Sequence, residues 1–242
     1  LSAIILSKGE STTQKAVESV EFADEILVIL DSDVDSKLKD SSKVRIVRHE
    51  LAGDYSQQRN FSVTQAKGDW LLYLDSDEVL TKELATNIQE VVKDNSPTSC
   101  FYLKRRDFFW GKELKFGETK TARVTGFVRL VKKNSGNWKG LVHEKFVSEH
   151  SPGSLKGFID HFPHQTISEF LLSVNEYSST RAKELKNNNG LFSALKMIFY
   201  PLGKFLYTYF LKLGFLDGAP GFVYSFMMSF HSFLVRAKLL NL

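Results

Sequence analysis

The chain has 242 residues, 43% of them hydrophobic and 25% charged, with a net charge of +4 and a pI near 9. That length supports one substantial core, as one domain or as a domain with a long appendage, and the composition excludes a disordered chain, a collagen-like repeat and a coiled-coil fibre. The basic excess forms neither a run of Lys and Arg nor an Arg-flanked aromatic face, so nucleic acid is not an expected partner; the single Cys100 cannot close an internal disulfide.

The composition is uneven along the chain. Ten of the 20 Phe lie between Phe170 and Phe233. From Thr166 to Leu242 eight Lys and Arg stand against four acids, whereas the first 165 residues are neutral. A basic, Phe-rich tail suits an anionic lipid surface. No signal-peptide pattern opens the chain, and the lack of an initiator Met is expected to mean that a short N-terminal piece is missing.

Short apolar runs alternate with helix-period segments through the first hundred residues, the pattern of a parallel α/β sheet. Strands are expected at 2–6, 26–30, 44–47 and 70–74, with helices at 11–22, 56–66 and 81–93. Ser11 and Thr81 are candidate N-caps, and Glu83 suits the first turn after Thr81. Beyond Pro97 the strand-like pieces 100–103, 127–131 and 142–147 flank a polar loop at 105–125, so the second half reads as mixed or antiparallel. A helix follows over 167–186 and ends at Asn187-Asn188-Asn189-Gly190. Segment 191–213 is apolar but carries Lys196, Lys204 and Lys212, and 221–235 has no formal charge. A spanning helix needs about 20 apolar residues, so these two segments read as interfacial or re-entrant helices, or as ordinary core. Between them 214–221, with Pro220, is expected to turn tightly and return Asp217 to water. The chain thus divides into an α/β domain, 1–165, and a helical region, 166–242.

Chemistry concentrates at Asp75-Ser76-Asp77-Glu78, where the apolar strand begun at Trp70 ends in three carboxylates within four residues. Ligands of open α/β sheets bind at the carboxyl ends of strands, and crowded carboxylates call for a cation. Oxygen ligands of this kind suit Mg²⁺ or Mn²⁺. The alternative is that Asp77 and Glu78 only complement the dipole of the next helix. The strand at 26–30 also ends in acids, Asp31, Asp33 and Asp35, which either touch a ribose or base or form a solvated turn. Arg59, in Gln58-Arg59-Asn60, bridges a phosphate or buttresses the acids, the alternative being a place on the surface. Phe108-Phe109-Trp110 form an acceptor platform or pack beneath the polar loop.

Taken in order, Asp31, Gln58-Arg59-Asn60-Phe61, Gly68-Asp69-Trp70 through Asp75-Ser76-Asp77-Glu78, Arg129-Leu130 and Val142-His143-Glu144 resemble the family 2 glycosyltransferases of the GT-A fold. The chain is most similar to the lipopolysaccharide core β-1,4-glucosyltransferase group, whose pattern Asn175-Glu176-Tyr177, Pro201 and Gly214-Phe215-Leu216-Asp217-Gly218-Ala219-Pro220-Gly221 also match. The resemblance implies a Rossmann-like mixed sheet with a helical, membrane-associated tail. It implies an inverting, metal-dependent transfer of a hexose from a nucleoside diphosphate sugar to a lipopolysaccharide-core or lipid-linked glycan. Asp31, Arg59, Asp75 and Arg129 would hold the donor. Asp75, Asp77 and His143, with His161 a more remote candidate, would serve the metal, Mn²⁺ or Mg²⁺. Glu144 would be the catalytic base, with Asp107 and Glu118 in reserve. Ser7-Lys8-Gly9-Glu10 and Asp33-Val34 depart from the family pattern and put the fine donor contacts in question. The expected location is the cytoplasmic face of the bacterial inner membrane. Competing readings are a polyprenyl-phosphate glycosyltransferase, a noncatalytic sugar-nucleotide or membrane-binding module, and a nucleotidyltransferase.

Overall fold

A computed structural model describes residues 1–31, 38, 42–51, 53–94, 96–140, 144–164, 166–187 and 194–241. Strands β1 (Ser2–Ser7) and β2 (Glu25–Leu30) are buried throughout, which is why their sequences read as unbroken apolar runs. They pair in parallel with each other, and the parallel set is completed by β3 (Val44–Arg48) beside β2 and β4 (Trp70–Asp75) beside β1. Side chains alternate across the sheet, so each strand feeds two cores. Ile5, Val28 and Leu74 pack with Val17 of α1 (Thr13–Ser19) and with Leu84 and Ile88 of α3 (Lys82–Lys93). Ile4, Leu27 and Tyr73 pack on the other face with Phe61 of α2 (Tyr55–Gln65).

Beyond β4 the sheet turns antiparallel. β8 (Phe127–Lys132) pairs with β4, β6 (Cys100–Phe109) with β8, and β11 (Gly153–His161) followed by β5 (Glu78–Leu80) ends the order. A separate hairpin joins β9 (Asn137–Lys139) to β10 (Lys145–Val147). The parallel first half and mixed second half are therefore as the sequence leads one to expect. Val142 and His143 of the expected strand 142–147, and Asn188-Asn189-Gly190 of the expected break, lie outside the described residues, and Glu144 precedes β10 without joining it.

Three local expectations are corrected. Segment 105–125 is no loop: β6 continues to Phe109, turns at Trp110 and Gly111, both with positive φ (52° and 71°), and returns as β7 (Lys112–Leu114) before α4 (Lys120–Val124). Two positive-φ residues are what a two-residue hairpin turn requires. The charges of Lys104, Arg105 and Arg106 hide the strand, although Asp107 and Phe109 alternate into the interior. Ser11 caps no helix, since α1 begins at Thr13, whose hydroxyl donates to the Glu10 carbonyl at 2.8 Å. Thr81 does cap α3, accepting from the Leu84 N–H at 3.4 Å.

The chain falls into two compact units: Leu1–Arg105 with Val124–His161, and Arg106–Arg123 with Phe162–Leu242. In the second unit α7 (Ala219–Lys238) packs against α5 (Ile167–Asn187) and α6 (Ala194–Leu206), over a core of Phe109, Leu114, Phe170, Val174 and Met227. The third correction lies here. The segment joining α6 to α7 does turn tightly, but Asp217 is buried rather than returned to water. Its carboxylate accepts from the Lys115 and Phe116 N–H groups at 3.0 and 2.9 Å, and its carbonyl from Lys112 Nζ at 2.8 Å. A β-carbon at Gly221 would lie 2.2 Å from the Gly214 carbonyl oxygen, so this turn closes only with glycine. Among the described residues no helix is long and apolar enough to cross a membrane.

Candidate active site

Because β1, β2 and β4 run parallel, their carboxyl ends share one edge, with Asp75 opposite Leu6 and Ser7 opposite Leu30. Asp31 follows β2 at that edge. Its N–H donates to the Ser7 carbonyl at 3.0 Å, and its Oδ1 accepts from the Leu51 N–H at 3.2 Å. Asp33, Asp35 and His143 lie outside the described residues.

Arg59 is the pivot of the site. Asp54 opens α2 by accepting from the Gln57 N–H at 3.0 Å, and one turn later Arg59 points inward, only 1% exposed. Its guanidinium lies 4.9 Å from the Trp138 ring centroid and 5.4 Å from that of Tyr73. Such a planar cation stacks on aromatic faces and donates in a fork. Nη2 donates to Asp75 at 2.8 Å and Nε to Glu144 at 2.7 Å. Nη1 is buried and has no hydrogen-bond partner among the described residues. The alternative of a surface arginine is therefore set aside.

Arg129 reaches Asp75 from β8 at 2.7 Å and Glu78 at 3.4 Å. Glu78 opens β5 fully buried, accepting from the Asp75 N–H at 3.0 Å and from Arg105 at 3.3 Å. This is not a helix-dipole acid, because a strand and the Thr81 cap separate it from α3. Burial pushes the Asp75 carboxyl up, but Arg129 and Arg59 together hold it well below the usual carboxylate range. Burial likewise disfavours the Arg129 charge, and Asp75 and Glu78 outweigh it, raising the guanidinium above its ordinary value. Both stay ionised.

Asp77 faces the other way. His161 ends β11 opposite Glu78 in the antiparallel register, and its Nε2 lies 3.4 Å from Asp77 Oδ2. Burial, the largest influence, raises the Asp77 carboxyl, but His161 brings it below its ordinary value. The expected metal set was Asp75, Asp77 and His143. The structure gives Asp75 to the arginines and places Asp77 with His161, the candidate that sequence had ranked behind His143. Among the described residues no group of three or more His, Cys, Asp and Glu gathers as a metal site. Glu144 lies against Arg59, whereas the reserve acids Asp107 and Glu118 belong to the second unit, where Glu118 pairs with Lys204 at 2.7 Å. Sequence reading missed Arg105 and the binding of two arginines by Glu78. Only the crowding at Asp75-Ser76-Asp77-Glu78 hinted that buried cations had to be near.

Chemically, the network is held just short of neutrality. Three carboxylates, Asp75, Glu78 and Glu144, pair with three guanidiniums, Arg59, Arg105 and Arg129, and Asp77 beside His161 is a fourth acid. One divalent cation at Asp77 would turn that residual −1 into +1. An anionic ligand and a cation are thus each favoured by the other's presence.

The residues 2–142 match the model of Glycosyl transferase family 2. The chain belongs to that family. The mixed sheet, with its parallel nucleotide-binding half, fits the GT-A fold, and the transferase is therefore a glycosyltransferase acting through a nucleotide-sugar site. It is 26% identical to the lipopolysaccharide core biosynthesis glycosyltransferase LpsC of Rhizobium meliloti (strain 1021), over 98% of this chain and 90% of that protein. It is 27% identical to an uncharacterized glycosyltransferase of Rickettsia bellii (strain RML369-C), over 100% and 86%. A crystal structure of S. aureus TarS residues 1–349 in complex with UDP-GlcNAc superposes with a TM-score of 0.48 at 12% identity, over 96% of this chain and 80% of that one.

Proposed function

We propose that the transferase moves a hexose, with inversion, from a nucleoside diphosphate sugar to a lipopolysaccharide-core or lipid-linked glycan. The observation that carries this reading is the doubly arginine-held Asp75 beside the Asp77–His161 pair, at the carboxyl edge of a family 2 sheet. The LpsC likeness supports an acceptor of the lipopolysaccharide core.

Asp77 and His161 fit a divalent ion as a two-donor set. Ions of this class take one or two protein carboxylates and complete their shell with substrate phosphates and water. An imidazole nitrogen in the set favours Mn²⁺ over Mg²⁺. When bound, the ion supplies Lewis-acid stabilisation of the departing diphosphate. The chain's own residues do the rest. Arg59 and Arg129 are preorganised donors that need no reorganisation as charge develops on the leaving group, and Asp75 fixes the orientation of both. The buried Arg59 Nη1 is a donor that an oxygen of the diphosphate can take up. Asp31 positions the nucleoside. Glu144 takes the proton of the acceptor hydroxyl as it attacks the sugar face opposite the leaving group; Arg59, donating from Nε at 2.7 Å, sets its position.

The test is transfer from a panel of nucleoside diphosphate hexoses to deacylated lipopolysaccharide core, with and without Mn²⁺, reading the product's anomeric configuration by NMR. A metal-dependent product of inverted configuration is expected. Retention, or equal turnover in EDTA, contradicts the mechanism.

A further inference from the structure

Helices α6 and α7 expose an apolar face that is unusual for a protein surrounded by water. On α7 Gly221, Ser225, Ser229 and Ser232, spaced by four, four and three residues, are buried together with Met227 and Val235, while Phe222, Phe226 and Phe233 lie on the exposed side. On α6, Leu195, Ile198, Phe199, Leu202 and Leu206 recur at three- and four-residue steps, and that stripe is also exposed, Phe199 by 62%. It continues beyond the helix through Phe210 and Leu211, the latter 76% exposed.

A water-soluble helix buries its apolar stripe and exposes its small polar residues. Here serines are among the buried positions. Ser229 Oγ donates across to the Pro201 carbonyl of α6 at 2.6 Å, while Thr208 Oγ1 and Ser232 Oγ donate back to the carbonyls four residues earlier, of Lys204 at 2.9 Å and Met228 at 3.2 Å. Small residues at four-residue spacing, with hydroxyls bonded inside the helix pair, are how helices pack when the surroundings are as apolar as their own side chains. The exposed phenylalanines and leucines recur along one segment rather than singly, the kind of apolar surface that marks an interaction site.

Charge identifies what covers them. Residues Arg106–Arg123 and Phe162–Leu242 carry thirteen basic and seven acidic side chains, a net of +6, so with +4 overall the other unit is at −2. Lys196 is exposed within the α6 stripe and Lys212 half-buried at its end, where long stems can extend to headgroups from an apolar seat. We infer that the α6–α7 hairpin enters one leaflet of an anionic phospholipid bilayer, its Phe-rich face in the acyl region and its serine face packed inside, without crossing. No helix among the described residues is both long and apolar enough to cross. This deepens the reading of a lipid-borne acceptor but stands on the second unit alone, so it survives if the proposed donor chemistry fails.

The test is flotation of the full chain with vesicles of phosphatidylethanolamine and phosphatidylglycerol, beside vesicles of phosphatidylcholine alone. The triple variant Phe199→Ser, Phe210→Ser, Phe226→Ser removes only exposed rings, and its circular dichroism and nucleotide binding report that it still folds. Wild type is expected to float with the anionic vesicles, at least tenfold more than with phosphatidylcholine, and the folded variant to stay at the bottom. A Trp placed at Phe226 is expected to be quenched by brominated acyl chains. Wild type that stays at the bottom overturns the inference, as does a triple variant that floats equally, an unquenched Trp, or a lipid-free dimer in light scattering that the triple variant abolishes.

Discussion

Arg59 joins the two halves of the site: a residue of α2 that touches Asp75, 16 positions on, and Glu144, 85 positions on. Such a group cannot be read from spacing, since its sequence neighbours Gln58 and Asn60 are polar and nothing local marks it as buried. The carboxylates were legible because an apolar strand that ends in Asp75-Ser76-Asp77-Glu78 is anomalous by itself. Their division of labour was not legible, because it depends on which cations the antiparallel strands bring. Removing one partner of a buried ion network leaves its acids uncompensated, so Arg129→Met is expected to destabilise the fold by about 3 kcal/mol or more, measured by urea unfolding at neutral pH. The sign of the pH effect follows from Asp75. Its folded carboxyl lies below the unfolded value of about 3.9, so its contribution is complete above that value and is lost as pH falls toward the folded one. Wild type is expected to lose stability progressively as pH falls below about 4, and Arg129→Met to show a shallower slope there; parallel slopes would contradict the role given to Asp75. For Glu144→Gln the expectation is donor affinity within a few fold and turnover reduced by about 10² or more, the scale of a positioned base. Near-normal turnover would move the base elsewhere.

Among elements, the parallel strands were the most legible because burial on both faces writes itself as continuous Ile, Leu and Val. β5 and β11 were not foreseen. β5 has three residues, too few for any period, and β11 carries Lys156 and Gly157 between its inward Leu155 and Ile159. Gly157 shows why that strand tolerates a glycine: its φ is +93°, and a β-carbon there would lie 2.5 Å from the Leu84 nitrogen at the start of α3. The close approach holds His161 in register with Glu78 and so beside Asp77. Gly157→Ala is expected to cost about 2–4 kcal/mol, from the left-handed backbone and the overpacking together, and to weaken metal-dependent binding more than metal-free nucleotide binding. A thermal melt within a degree of wild type would show that the contact relaxes freely. In the second unit Asp217 accepts from two backbone N–H groups, at Lys115 and Phe116. Asp217→Ala leaves both without their acceptor, and faster proteolysis between Leu114 and Thr119 is expected.

At the scale of the molecule, the two units divide charge and chemistry between them. The acids and arginines of the site all belong to the slightly negative unit, and the exposed Phe and Leu of α6 and α7 to the basic one. The compositional shift after Thr166 was visible in the sequence, but the inclusion of Arg106–Arg123 in the same unit was not, since that piece precedes it by more than forty residues and packs there through Phe109 and Leu114. The proposed mechanism requires that donor and metal bind together at Asp77. A ligand at a hundredfold its dissociation constant stabilises the folded state by about 2.7 kcal/mol, an ample shift in a thermal melt. The decisive measurement is a melt of wild type and Asp77→Ala against nucleoside diphosphate hexoses, with and without Mn²⁺. Wild type is expected to rise by several degrees with one donor only when Mn²⁺ is present, and Asp77→Ala to melt near the unliganded wild type and not to respond. A donor shift that is equal without metal, or that persists in Asp77→Ala, would contradict a site built on Asp77.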